Sequence, residues 1–563
     1  MASPKISERL REFTQPTGEE ELLRVDYPRP RVRISRWQAC AVAIMVVVGV
    51  IIWLGLSSRN SDESGMPEPA AMGSTTAEPS AEASEIVVSV VGEVAAPGLK
   101  TLEPGALTAW VAVIAVLVFG QGWAVACIGS VVGICLLARH WGQAIFCGVL
   151  ASAAAFVAAV RQARAAAFDF GREITGRVVT APTQTSTGGW FIRLDVPGYP
   201  AQLPVFSPEP LSAPAGTQVT AAVQLSESDQ PGVGTVIANA SRLRIDAPPS
   251  GLAGWAARVA DNFRAVVLEA VGPSSQGLIP GMVLGDTSLQ SPAERDLYID
   301  TGLSHLSAVS GANVAIVCSF AAIVCAACAA GPRTRVAVSL AALATYVVLV
   351  GLEPSVQRAA VAGVVGLLAV LHSSTMEPIH ALSLGILTLL FVDSDLAVHF
   401  GFALSCAATF GIVMLSPLIY SHLAVTGWPA IFLRAIAVAI AADILTLPLI
   451  ALMSGEVSVV SVLANVLVAP ATAPITVVGL LAAIAAQLGP LSIIAAGLLK
   501  LIEPAAWWIN TIAHGVASLP VVTITAHPLF TLLAYGWVIA GLLYHRPWLT
   551  LAGVIACLGL LAA

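Results

Sequence analysis

"TGLSHLSAVSGANVAI", residues 301–316, sets Ser304, His305, Ser307, Ser310 and Asn313 at the head of an apolar run that continues to Ala330. Polar side chains are costly inside a membrane span, so they face a bundle interior or a water-filled path. Beyond this stretch apolar runs follow one another, at 303–330, 335–351, 356–371, 380–392, 396–418, 430–452, 457–487, 491–518, 528–543 and 546–562. Runs near 20 residues span a bilayer as helices, and their repetition predicts a polytopic α-helical membrane protein. Proline and glycine interrupt several of them, as in "TLPLIALM" and "NVLVAPATAPITVVG". Broken helices at membrane depth are tolerated where they are buried in protein or line a cavity, which favours a transport path over a simple anchor bundle.

Composition agrees. Hydrophobic residues make up 57%, charged residues only 11%, and the mean hydropathy is +0.84, where a soluble chain carries about 25% charged residues. The net charge of -7 gives no basic footprint, so any nucleic-acid contact must be local. All nine cysteines lie in or beside apolar runs, and none falls between Ala165 and Pro248. Cys325 and Cys328 have redox-motif spacing, but they sit in an apolar helix with no soluble redox fold around them.

Before the bundle the chain changes character several times. Residues 1–36 are polar and arginine-rich, 37–56 are an apolar anchor with its basic flank towards the cytoplasm, and 57–84 are a disordered Ser/Ala/Glu/Pro linker. Residues 85–105 alternate as a strand and a turn, and 106–160 hold three apolar runs, the first two short for full spans. The segment 165–248 is a soluble island. Its stretches "EITGRVV", "GWFIRLDV", "QLPVF", "QVTAAVQL" and "SRLRI" predict about five strands and a small all-β, OB-like barrel. Trp190, Phe191 and Arg193 sit together on one of these strands. They form either a base-stacking platform beside a phosphate contact or barrel core with a solvated edge arginine; the balanced charge of the island favours the second. Residues 250–272 show apolar positions at helical spacing and predict an amphipathic helix on the membrane surface or against the bundle. Residues 276–563 complete the bundle.

"LIPGMVLGDTS" at 278–288, "LYIDTGLSHLSAVSGANVAIV" at 297–317, "EPSVQRAAVAG" at 353–363, "FGFALSCAATFGIVML" at 400–415 and "LIALMSGEVSVVSVLANVLVAPATAPI" at 449–475 together resemble the ComEC family of competence channels. The resemblance covers residues 106–563. It implies a multi-pass plasma (inner) membrane channel for uptake of single-stranded transforming DNA, with an OB-like domain on the extracytoplasmic side. It also implies contact with membrane lipid and partners in the competence machinery, a DNA receptor and a cytoplasmic motor, and leaves a homo-oligomer open. The front end resembles the anchor, linker and truncated ligand-binding (SLBB) module of ComEA-like receptors. The helix-hairpin-helix pair of those receptors is missing from it. Many ComEC-like chains end in a metallo-β-lactamase-like domain. This sequence stops at Ala563, its nine histidines contain no HxHxDH cluster, and no catalytic residue, metal or cofactor is expected.

A single-stranded DNA path needs a lining that is polar without trapping phosphates. Ser304, Ser307, Ser310 and Asn313 step by three and would form a polar stripe on one helix, with His305 beside it; the alternative is a small-residue packing face. Arg358 needs a partner such as Glu353, Asp443 or helix carbonyls, or else a passing phosphate. Asp443 poses the same question, and a structural Arg358–Asp443 pair is the plain alternative. Asn465 completes the candidate path. Two other functional classes compete: a small-solute secondary transporter, which predicts inverted repeats that are not seen, and a membrane-anchored DNA receptor fragment. The positive-inside rule places Arg139, His140, Arg333 and Arg335 inside and the island, Glu353, Asp393 and Asp395 outside. Joined to the front end, that assignment is off by one crossing, and the short run 106–119 is the weakest span.

Overall fold

The computed structural model describes residues 102–526 and 531, apart from 186–188, 210–212, 308, 372–376, 490–491 and 520–521. The anchor, the linker and nearly all of the strand-and-turn fragment lie outside the described residues, as do the apolar runs 528–543 (Thr531 apart) and 546–562.

Three helices open the described chain: α1 (Leu102–Phe119), α2 (Gln121–Leu137) and α3 (Trp141–Ala166). Helix α1 begins four residues before the expected run and gains a turn. Gly105 belongs to that turn, because a Cβ there would lie 2.7 Å from the Phe146 ring. The short-looking run 106–119 is therefore a core element. It is buried from Pro104 to Leu117 except at the partly exposed Val111, the Trp110 indole donates to Ala397 O at 2.9 Å, and Trp110 stacks on Phe402 with ring centroids 5.2 Å apart. Run length alone underrated it, since the residues that extend the helix, 102–105, fell within the segment 85–105 read as a separate fragment. Helix α2 presents Trp123, Val125, Ile134 and Leu137 outward, as a lipid-facing helix does.

Six strands form the island: β1 (Glu173–Val178), β2 (Thr183–Gln184), β3 (Trp190–Asp195), β4 (Gln202–Ser207), β5 (Gln218–Glu227) and β6 (Val236–Ala247). They hydrogen-bond in the order β1-β5-β6-β4-β3-β2, and β1 also pairs with β3. That extra pairing closes five strands into a barrel and leaves β2 as an appendage. All pairings are antiparallel except β4–β6. Alternation of side chains along each strand sends Ile174, Ile192, Leu194, Leu203, Val205, Val219 and Ala221 inward, where they are buried. Phe168, Phe170 and Tyr199 cluster at the junction with α3, their ring centroids 4.7–5.3 Å apart.

Helix α4 (Gly251–Ala270) buries Val259, Phe263, Val267 and Ala270 against the bundle. Arg264, on its polar face, pairs with Asp286 at 2.7 Å and Asp261 at 2.9 Å. Short helices α5 (Pro273–Gln276), α6 (Leu278–Leu284) and α7 (Pro292–Asp300) follow. The rest of the bundle is α8 (Gly311–Ala327), α9 (Pro332–Val350), α10 (Pro354–Leu371), α11 (Pro378–Val392), α12 (Phe400–Leu423), α13 (Ala430–Ser454), α14 (Ser461–Ala485) and α15 (Ser492–Ala517). A two-stranded ribbon, β7 (Glu456–Ser458) with β8 (Thr523–Thr525), ties the α13–α14 turn to the segment after α15.

Among the described residues seven helices are long and apolar enough to cross a membrane: α1, α3, α9, α12, α13, α14 and α15. The chain is a multi-pass helical membrane protein. Helix α14 is not broken, as its composition suggested. It runs through Pro470 and Pro474, with the Trp508 indole donating to Leu467 O at 2.9 Å beside the first of them; neighbouring groups of this kind let a membrane helix tolerate proline. Helices α12 and α13 meet backbone to backbone at Gly411, where a Cβ would lie 2.3 Å from Ala441 O.

Candidate functional site

The stretch 301–316 is not one helix. Gly302 turns the chain with φ 73°, Ser304–Ser307 form a single 3₁₀ turn, and Ser310 sits extended at the N-cap of α8. Gly302 is required there twice over: its φ is left-handed, and a Cβ would lie 2.5 Å from the Ser461 side chain. The expected stripe of Ser304, Ser307, Ser310 and Asn313 on one helix is therefore broken into a turn and a helix start. Spacing by three could not distinguish an α-helix from this turn, whose own repeat is three residues.

The polar residues separate into groups. At the start of α8, Asn313 is buried, and its amide Nδ2 donates to Met282 O at 2.8 Å. Its Oδ1 accepts from Ser310 Oγ at 3.3 Å and Thr476 Oγ1 at 3.4 Å. Asn313 thus staples α6, α8 and α14, and its amide is occupied. Ser307 Oγ accepts from Gln290 Nε2 at 2.8 Å. Ser304, Ser307 and Ser310 are each partly exposed. Ser355 Oγ donates to Val309 O at 3.1 Å, which docks the start of α10 on this same turn.

One helical turn along α10, Arg358 is buried, and its Nε donates to Ser405 Oγ of α12 at 2.9 Å. Among the described residues it makes no ion pair. The Arg358–Asp443 pair does not form, and neither does an Arg358–Glu353 pair. Asp443 instead accepts from Ser461 Oγ at 2.5 Å. Ser458 and Ser461 pack on Gly302, and the buried Asn465 follows one turn further along α14. His305 is buried nearby, and its Nδ1 has no hydrogen-bond partner among the described residues. This second group holds the Asp443 carboxyl, and the structure does not pair it with Arg358.

The island residues are arranged differently from either expectation. Ile192 and Leu194 face the barrel interior, so Phe191 and Arg193 share the outer face and Trp190 does not join them. Phe191 stacks across the strand pair on Phe206 at 5.2 Å, and the Arg193 guanidinium lies 5.8 Å from the Phe191 ring centre. Phe191 is therefore not barrel core. Nor is Arg193 a solvated edge: its charge is read by Glu353, Asp395 and Asp393 of the bundle. Burial pulls the Arg193 guanidinium below its ordinary value, and those three carboxylates oppose that pull. Asp395, in the 3₁₀ turn Ser394–Val398, accepts from the Val233 amide at 2.6 Å. Burial raises the Asp395 carboxyl to about 6, against the Val233 hydrogen bond. His399, next to it, is lowered to about 4 by burial and by Arg193.

Sequence reasoning missed Gln290, Ser461 and Thr476 as partners of the polar group, and missed the barrel junction. Serines and threonines in apolar helices carry no pattern of their own. The one available signal for the junction was the placement of Glu353, Asp393 and Asp395 on the island's side of the membrane. Among the described residues no group of three or more His, Cys, Asp or Glu side chains could hold a metal ion.

Residues 282–548 match the family model described as competence protein. No curated protein and no solved structure matches the chain.

Proposed function

Residues 282–548 make this chain a ComEC-type competence protein, with a role in competence and DNA uptake, and from that premise we propose that it is the inner-membrane channel for single-stranded transforming DNA. The observation that carries the reading is Arg358: a buried guanidinium between membrane helices whose hydrogen-bond partner is a serine hydroxyl, with no carboxylate paired to it among the described residues. A buried cation without a counter-ion is expensive. A passing phosphate supplies that counter-ion transiently, and a single such contact does not trap a polyanion as a row of arginines would. The partly exposed serines of the 304–310 turn supply a polar surface close by, because Ser355 joins that turn to the helix that carries Arg358.

The closed five-stranded barrel is OB-like in this reading and stands on the extracytoplasmic side. It rests on the mouth of the bundle through Arg193 and Asp395, with the Phe191–Phe206 pair on its outer surface as a stacking site for bases. A DNA receptor outside and a motor in the cytoplasm are the partners that a passive path requires.

Uptake of labelled DNA by competent cells that carry Arg358 variants tests the role of the cation. Arg358→Lys keeps a point charge for a phosphate but cannot reproduce the planar guanidinium. Near-normal uptake in Arg358→Lys, with loss in Arg358→Leu at equal protein level, supports a phosphate-facing charge. Equal loss in both, tracking lowered protein, makes Arg358 a packing residue and removes the support.

A further inference from the structure

Asp443 lies inside the membrane region, on α13, and no positively charged group is paired with it among the described residues. Its hydrogen-bond partner there is Ser461 Oγ, at 2.5 Å. Two oxygen atoms within four residues of Ser461 go unused. Ser458 Oγ and Asn465 Oδ1 are both buried with no hydrogen-bond partner among the described residues. Asn465 is itself only 5% exposed. Ser461 and Asn465 are four residues apart on α14 and share a helix face. Ser458 and Ser461 both lie against Gly302, whose missing side chain lets the two chain segments close together.

Buried polar atoms are satisfied in the great majority of cases, and each exception calls for a cause such as a water or an ion. A carboxylate at membrane depth calls for one more strongly, since it must be neutralised or paired. The unused atoms here are two neutral oxygens, and the Asp443 carboxyl lies beside them with one hydroxyl bond. Oxygen ligands suit hard cations, and a single negative charge balances a monovalent one. The absence of a second carboxylate argues against calcium, and the absence of thiolate or paired imidazole argues against zinc.

We infer that Asp443, Ser461, Asn465 and Ser458 form a binding site for a monovalent alkali cation, with sodium as the representative ion. The position of Ser461 at the first turn of α14 has a plainer effect, the stabilisation of a carboxylate by a helix N-terminus, but that leaves Asn465 Oδ1 and Ser458 Oγ unexplained. The site does not depend on the DNA path, because Asp443 and Arg358 belong to separate groups.

The test is the thermal midpoint of the full chain in detergent, with sodium chloride titrated against N-methyl-glucamine chloride at constant ionic strength. The wild-type midpoint rises with sodium and saturates, as binding to the native state requires. Asp443→Asn removes the charge while keeping an oxygen for Ser461, and its midpoint is flat in sodium. Asn465→Ala keeps the charge and shifts half-saturation to about tenfold higher sodium, the loss of roughly one ligand contact. A wild-type midpoint indifferent to sodium overturns the site. So does an identical sodium response in both variants, or in Asn465→Ala alone should Asp443→Asn fail to fold.

Discussion

The backbone amide of Val233, in the barrel, donates to Asp395 Oδ1, in the turn between α11 and α12, at 2.6 Å. This bond joins the soluble island to the membrane bundle across 162 residues of sequence. Gly232 makes room for it: a Cβ there would lie 3.1 Å from the same carboxylate oxygen. Arg193 of the barrel adds its charge to the same carboxylate, and within the bundle Arg161 near the end of α3 donates to Val392 O at 2.5 Å. The barrel is seated on the bundle by polar groups.

Asp395→Ala should loosen that seat. It leaves the Val233 amide without its acceptor, and an unsatisfied buried donor costs about 1–3 kcal/mol. Hydrogen exchange of the 231–234 segment should quicken while the barrel strands keep their protection. Unchanged exchange there would mean that the bond contributes nothing to the docked state.

Acidification tests the same junction with opposed signs. Asp395 holds its proton more tightly when folded, at about 6 against an ordinary 3.8. Its contribution is full below about pH 4 and is lost as pH rises through 6. His399 runs the other way, at about 4 folded against 6.5. Its contribution is present above 6.5 and is lost as pH falls through 4, where protonation also removes the Nδ1 acceptor for the Gly401 amide. The two offset each other, so the wild-type thermal midpoint should change little between pH 6.5 and 4.5. Asp395→Asn keeps an acceptor for Val233 and exposes the histidine, so its midpoint should fall on acidification across that window. Parallel profiles for the two proteins would contradict this pairing.

The polytopic helical class and the positions of the island's strands were legible in the sequence because apolar run length and strand alternation are set by local chemistry. All five barrel stretches became strands, and the expected amphipathic helix became α4, packed on the bundle. Details that depend on partners were not legible. Nothing in "TGLSHLSAVSG" shows that Ser461 presses on Gly302 and forces a turn there. Arg358 could be recognised as a buried cation, but Ser405 could be preferred over Asp443 only once α10 and α12 were side by side. Phe191 and Arg193 were read as neighbours in sequence, and their common outer face followed from knowing that Ile192 points inward.

Asn313→Leu should act on stability first. The change removes the donor to Met282 O and the acceptor for Ser310 and Thr476, and polar contacts between membrane helices are worth about 0.6–2 kcal/mol each. The protein should accumulate less and melt earlier in detergent, and uptake should fall in proportion to protein level. Normal accumulation with abolished uptake would instead make Asn313 part of the lining itself.

The most direct measurement is contact between DNA in transit and the polar turn. A photo-reactive amino acid placed at Ser310, or in a second protein at Ile323 on the exposed face of α8, is illuminated while competent cells take up labelled DNA. The account predicts crosslinks to single-stranded DNA from position 310 and none from position 323. Crosslinks absent from 310 at normal uptake, or equal from both positions, would contradict a path through this bundle.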